Sequence, residues 1–178
     1  MKSISLILIF LLSAATARAD AGVGAAVVLA GTFQSLTTTP PLNSQSAQLG
    51  FPGGGVLVDF GIGNFRLQSG LLYLQHKTSF PAPVGAITSQ TLEIPVLLRY
   101  SILPLVSLGA GLYGATFVGT PSNSADFGMV AGVAATLPVG FYDLLVDGRF
   151  EQGFTNISPT TKRSEIQILA GVRLGIGI

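Results

Sequence analysis

The chain has 178 residues, no cysteine, nine Lys plus Arg and eight Asp plus Glu, so 10% of it is charged where an ordinary soluble domain has roughly 25%. A formal net charge of +1 supplies no basic footprint for nucleic acid, and a mean hydropathy of +0.62 excludes a disordered chain. Without cysteine there is no disulfide scaffold and no zinc ribbon, which leaves a membrane protein or an unusually apolar domain.

The chain opens with a short positive region, Met1-Lys2-Ser3, then an apolar run from Ile4 to Leu12, then Ala17-Arg18-Ala19. This three-part pattern reads as a secretory signal peptide over residues 1–19. The apolar run is too short for a spanning helix, which needs about 20 residues. Loss of Lys2 and Arg18 leaves fifteen charges in residues 20–178.

Two long uncharged stretches, Tyr100 to Ala125 and Phe127 to Tyr142, invite a helical reading. Pro104, Pro121 and Pro138 interrupt them, both are rich in Gly and β-branched residues, and neither has Lys/Arg flanks. A period of two accounts for the chain better. Transmembrane strands are segments of roughly ten residues, apolar towards lipid and polar or small towards the lumen.

In chain order, the first strand spans about Gly22 to Phe33 and the second about Gly55 to Ile62, with Leu57, Asp59 and Gly61 on its polar or small face. In the third, Asn64 to Gln75, Phe65, Leu67, Leu71 and Tyr73 alternate with Arg66, Gln68, Gly70 and Leu72. In the fourth, Leu92 to Tyr100, the even-numbered residues are apolar, and Glu93 and Arg99 share the other face. The fifth runs from about Leu105 to Val118 and the sixth from about Asp126 to Leu137, each with glycines on one face. The seventh, Tyr142 to Phe150, sets Asp143, Asp147 and Arg149 opposite Leu144 and Val146. The eighth, Ile166 to Ile176, sets Gln167 and Arg173 opposite Ile168 and Val172. A one-residue slip would turn every charge into lipid, so the register is strongly specified.

The connections alternate in length. Long gaps (Gln34 to Gly53, Lys77 to Ser89, Gly119 to Ala125, Gly153 to Arg163) carry breaker-rich compositions such as Thr37-Thr38-Thr39-Pro40-Pro41. Short turns fall at Gly63-Asn64, Ile102 to Pro104 and Pro138 to Phe141. Pairing Ile62 with Phe65 points both outward and sets Asp59 against Gln68. The fold class expected is all-β: an eight-stranded antiparallel up-and-down transmembrane barrel over residues 20–178, with external long loops and periplasmic turns and termini.

Ten of the fifteen charges take the inward parity: Asp59, Glu93, Asp143, Asp147, Glu151, Glu165, Arg66, Arg99, Arg149 and Arg173. Eight strands leave an interior just wide enough for side chains to fill, and buried charges must be paired. The expectation is a packed polar plug in two clusters: Asp59, Arg66, Arg99, Asp143 and Arg173 near the periplasmic end, and Glu93, Asp147, Arg149, Glu151 and Glu165 further out. The competing reading is a proton or ion path. Inward glycines (Gly61, Gly70, Gly109, Gly111, Gly128, Gly132, Gly171) would make room for long Arg and Tyr side chains. Two aromatic girdles are expected, Phe33, Tyr73, Phe117 and Phe127 outside and Phe65, Tyr100, Phe141 and Tyr142 at the periplasmic end.

Other motifs carry less. Gly109 to Gly114 matches G-x-G-x-x-G, but Ala115-Thr116-Phe117-Val118 continues a strand where a dinucleotide site needs a helix. Gly128 and Gly132 have the spacing of a helix-dimer motif on an alternating segment. Asn156-Ile157-Ser158 is a glycosylation sequon by pattern only. His76, the single histidine, reads as a solvated strand-end residue beside Lys77. The catalytic alternative joins it to Ser79 and to Glu93 or Glu151, as in a Ser-His-acid hydrolase. One His and no Cys disfavour a transition-metal site.

The segment Leu92-Glu93-Ile94-Pro95-Val96-Leu97-Leu98-Arg99-Tyr100, the run Gly109 to Tyr113, and Val146-Asp147-Gly148-Arg149-Phe150 leading into Gly153 to Ile157 resemble the small outer-membrane barrels of the PorT-like type. These are similar in architecture to the OmpA and OmpX barrels. The resemblance covers essentially the whole of residues 20–178. It implies insertion by the barrel assembly machinery with periplasmic chaperones. The last strand departs from the assembly signal by ending in Ile178 rather than an aromatic residue. The function expected is a structural or surface-interaction barrel of a Gram-negative cell envelope, monomeric, in contact with outer-membrane lipid and lipopolysaccharide. No catalysis, cofactor, metal or nucleic acid is expected. A narrow pore or secretion-assembly accessory and a lipid-modifying hydrolase are the alternatives.

Overall fold

The computed structural model describes residues 21–38, 46–79, 86–118, 125–155 and 161–177. The expected signal peptide, residues 1–19, lies outside them. Eight strands follow one another: β1 (Gly22–Thr38), β2 (Ser46–Ile62), β3 (Phe65–Ser79), β4 (Ala86–Leu103), β5 (Val106–Val118), β6 (Ala125–Val139), β7 (Tyr142–Gly153) and β8 (Thr161–Gly177). Each pairs antiparallel with its neighbour in sequence, and β1 pairs with β8 to close the barrel. The all-β, eight-stranded, up-and-down architecture is therefore the one the alternation predicts.

Three tight turns and both described chain ends share one end of the barrel, here the turn end. Ile62 pairs with Phe65 across Gly63-Asn64, and Asp59 faces Gln68. Gly63 (φ 58°) and Gly140 (φ 64°) occupy the left-handed region, which a two-residue hairpin between right-twisted strands requires. The other turns sit at Pro104-Leu105 and Gly140-Phe141, tighter than the sequence ranges given for them.

The outward face is continuously apolar. Val23, Val27, Leu29 and Phe33 of β1, Phe65, Leu67, Leu71 and Tyr73 of β3, and Ile166, Ile168, Val172 and Leu174 of β8 are all exposed. On β3, β4 and β8 this apolar belt is nine residues long (65–73, 92–100 and 166–174), the length a tilted strand needs to cross a bilayer. Partners followed around the barrel from Gly61 through Arg66, Arg99, Gly109, Gly132, Arg149, Gln167 and Thr32 return to β2 at Gly50, eleven residues along. Such a stagger is what tilts the strands.

Several strands run on past the belt at the loop end. β1 continues to Thr38, β3 to Ser79, and β8 begins at Thr161, residues that the sequence reading assigned to loops. Phe117 also departs from expectation. Its neighbours Thr116 and Val118 are exposed while Phe117 is half-buried on the inward parity, so it does not join the girdle formed by Phe33, Tyr73 and Phe127. At the turn end Phe65 packs against Tyr100 at 5.0 Å and Phe141 against Tyr142 at 5.2 Å between ring centroids.

Candidate functional site: the barrel interior

Fourteen charged side chains fall within the described residues. Eleven are buried, Arg66 is half-buried, and only Lys77 and Lys162 are exposed. The interior charges form three tiers rather than the two clusters expected.

The turn-end tier centres on Arg173, which donates from Nε and Nη2 to the two oxygens of Asp59 (2.8 and 2.7 Å) and from Nη1 to Asp143 (3.0 Å). Arg66 lies 3.8 Å from Asp59. A fork that grips one carboxylate with two parallel bonds is the strong form of the ion pair.

Arg99 does not belong to this tier. It pairs with Asp147, which also accepts from Arg149 Nε (2.9 Å), and both arginines donate to Gln68 Oε1 (2.8 and 3.0 Å). Gln68 is thus the neutral acceptor that lets two guanidiniums share one aspartate.

The loop-end tier is built around Arg163, absent from the sequence-based set. Its guanidinium reaches four carboxylates: Asp126 (3.0 Å), Glu151 (3.2 Å), Glu93 (3.3 Å) and Glu165 (3.5 Å). Its Cζ stands 5.0 Å from the centre of the Tyr113 ring. Asp126, also missed, accepts from Tyr113 Oη (2.9 Å) and Thr155 Oγ1 (2.7 Å). Gln167 donates to both oxygens of Glu93 (3.2 and 3.3 Å).

His76 is buried, 1% exposed, and the solvated strand-end reading is overturned. Its parity points inward, where Nδ1 lies 3.0 Å from Glu165 and Nε2 is 2.8 Å from Thr91 Oγ1. The order Glu165–His76–Thr91 is that of an acid–imidazole–hydroxyl relay. Thr91 is itself fully buried, so its hydroxyl faces no surface that a substrate reaches. Ser79 pairs through its backbone with Ser46 and Ala86; its side chain lies outside the described residues.

Glycines shape this interior in two ways. Gly61, Gly109 and Gly132 sit directly opposite Arg66, Arg99 and Arg149, and Gly128 opposite Tyr113. A Cβ there would stand 3.1, 2.9 and 3.1 Å from the arginine Cγ atoms and 2.6 Å from the tyrosine ring. Gly70, Gly111 and Gly171 do otherwise than expected: the nearest atoms are neighbouring backbone carbonyls (Val56, Val96 and Val27) at 1.9–2.3 Å from a built Cβ. The G-x-G-x-x-G run lies wholly within β5.

No family model matches the sequence, and no curated protein matches it significantly. Solved structures do. Neisserial surface protein A, 18% identical, matches with a TM-score of 0.46 over 86% of this chain and 96% of its own. Ail of Yersinia pestis, in complex with the heparin analogue sucrose octasulfate, is 16% identical, with a TM-score of 0.45 over 87% of this chain and 99% of its own. The outer membrane protein OprG from Pseudomonas aeruginosa is 10% identical, with a TM-score of 0.59 over 90% of this chain and 97% of its own. At that identity the likeness to OprG shows the fold alone: this chain is built as a small, closed, eight-stranded antiparallel β-barrel.

Proposed function

We propose that this chain is an integral outer-membrane protein whose interior is closed by side chains and whose work is done at the loop end, as a structural or surface-interaction barrel. The observation that carries the reading is the stack of buried ion pairs along the interior, from Arg173 with Asp59 to Arg163 with Glu93. Charges so paired hold the wall together and fill the lumen that eight strands enclose. On this reading the loops face outward, the termini face the periplasm, and residues 1–19 are removed on export. Catalysis, cofactors and nucleic acid play no part. Insertion as a monomer by the barrel assembly machinery, with periplasmic chaperones, belongs to the same reading, as does the PorT-like resemblance carried by residues 92–100.

Two exposed lysines, Lys77 and Lys162, point to the lipid partner. On β3 the outward residues run Tyr73, Gln75, Lys77; on β8 they run Ile166, Ser164, Lys162. Each lysine stands one polar residue above the apolar belt, at headgroup depth. That placement suits the phosphates of lipopolysaccharide.

Two measurements test the reading. A folded barrel in outer-membrane fractions changes gel mobility on boiling, and recovery in the soluble fraction without a shift would refute membrane insertion. In planar bilayers the closed interior gives no conductance; steady single-channel steps would establish the narrow pore instead.

A further inference from the structure

We propose that the loop-end tier is a protonation site and that Glu151 carries the proton at neutral pH. Seven carboxylates point into the described interior (Asp59, Glu93, Asp126, Asp143, Asp147, Glu151, Glu165) against five arginines (Arg66, Arg99, Arg149, Arg163, Arg173) and His76. With His76 fully charged the interior is still one positive charge short. The turn-end tier is balanced by its own residues and the middle tier has one arginine in excess. The deficit therefore lies in the loop-end tier, where four carboxylates share Arg163 and His76.

The charge partners and donors of these carboxylates are unevenly distributed. Asp126 accepts from Tyr113 and Thr155 and pairs with Arg163 Nε at 3.0 Å. Glu93 accepts from Gln167 and Arg163. Glu165 has His76 Nδ1 at 3.0 Å and Arg163 Nη1 at 3.5 Å as charge partners, although neither of its oxygens has a hydrogen bond. Glu151 has Arg163 alone, through a nitrogen that also serves Glu93, and its Oε1 is buried with no hydrogen-bond partner. Glu151 also stands directly opposite Glu165 in the β7–β8 register, and like charges so placed repel. The buried Gln167 Oε1 is a further acceptor without a donor. The tier is short of positive charge, and a proton on a carboxyl group cancels one negative charge and supplies a donor of its own. Among the described residues no group of three His, Asp or Glu side chains is arranged to hold a metal ion, which favours the proton over a bound cation.

Most of the wall contributes to the site: Gln34 from β1 opposite Glu165, His76 from β3, Glu93 from β4, Tyr113 from β5, Asp126 from β6, Glu151 from β7, and Arg163, Glu165 and Gln167 from β8, with Arg149 and Asp147 below. Loss of the proton in alkaline surroundings sets a second bare carboxylate against Glu165, at the end where the loops attach. The tier then loosens as pH rises.

The test is infrared spectroscopy of the refolded full barrel in lipid vesicles, reading the carbonyl stretch of a protonated carboxyl group. The native protein shows this band at neutral pH. Glu151→Gln loses it and keeps the native heat-dependent gel mobility, because the amide mimics the neutral acid. Glu165→Gln serves as the control at the opposite residue and keeps a folded barrel's mobility. The native barrel also loses heat resistance as pH rises above neutral, whereas Glu151→Gln does not. A native protein without the band, a band that survives Glu151→Gln, or a Glu151→Gln chain that cannot refold would each overturn the proposal.

Discussion

His76 Nδ1 lies 3.0 Å from Glu165 Oε2 in a place where neither side chain is exposed. The contact joins β3 to β8 across the lumen, two strands that are not neighbours in the wall, so it ties opposite sides of the barrel together. Removing His76 leaves Glu165 with Arg163 as its remaining partner, and a buried acceptor deprived of a partner costs about 1–3 kcal/mol. His76→Ala is expected to lower the unfolding free energy in vesicles by that order. Adding Glu165→Gln should recover part of the loss, since the amide needs no counter-charge. Equal urea midpoints for the native and His76→Ala proteins would show that the pair does not hold the wall.

Arg163 is the hub of the loop-end tier and its loss should be the most damaging single change in the interior. Arg163→Met leaves four buried carboxylates without their shared cation, and the barrel should fail to refold at neutral pH. Arg163→Lys should rescue it poorly, because a single ammonium lacks the planar spread of donors that serves several carboxylates at once. The fraction of chain that shows heat-dependent gel mobility reads both outcomes. A Met variant that refolds as completely as the native chain would contradict the assignment of the hub.

How much of this arrangement the sequence discloses depends on height along the strand. Within the lipid belt the outward residues must be apolar, so β3 from Phe65 to Tyr73 and β8 from Ile166 to Leu174 alternate visibly, and the inward charges stand out by contrast. Above the belt the outward positions meet water and turn polar too. Lys77 and Thr161-Lys162-Arg163 then read as loop and His76 as a solvated strand end, although all are strand, and the inward parity of His76 and Arg163 is hidden. The tiers elude the sequence for a different reason. Which arginine meets which carboxylate depends on reach across the lumen, as when Arg99 passes over Asp59 to join Asp147.

The glycine opposite Tyr113 supplies a further test. A Cβ on Gly128 would come within 2.6 Å of the tyrosine ring and 2.2 Å of the Gln152 carbonyl oxygen, whereas one on Gly114 would meet nothing within 4 Å. Overpacking of this kind costs typically about 1–3 kcal/mol. Gly128→Ala should therefore destabilise the barrel by that order and disturb the bond from Tyr113 to Asp126. Gly114→Ala should be close to neutral. The comparison is made by urea titration of the two variants side by side, and equal midpoints would mean that both the tyrosine and the β7 backbone give way.

Charge on the lipid face should act according to depth. Ile94 lies in the apolar belt on β4, 55% exposed. An arginine near the bilayer midplane on that face costs about 2–4 kcal/mol, falling to about 0–1 near the interface. Ile94→Arg is accordingly expected to impair insertion strongly. Lys77 and Lys162 stand beyond the belt, where a lysine near an anionic surface contributes on the order of 1 kcal/mol. The double variant Lys77→Gln with Lys162→Gln should insert normally yet retain less lipopolysaccharide through purification, with a loss that is reproduced by raising the salt concentration around the native protein. The lipid phosphate that copurifies with each chain measures this. Unchanged phosphate in the double variant would mean that the lysines are merely solvated and that the lipid is held by the apolar belt alone.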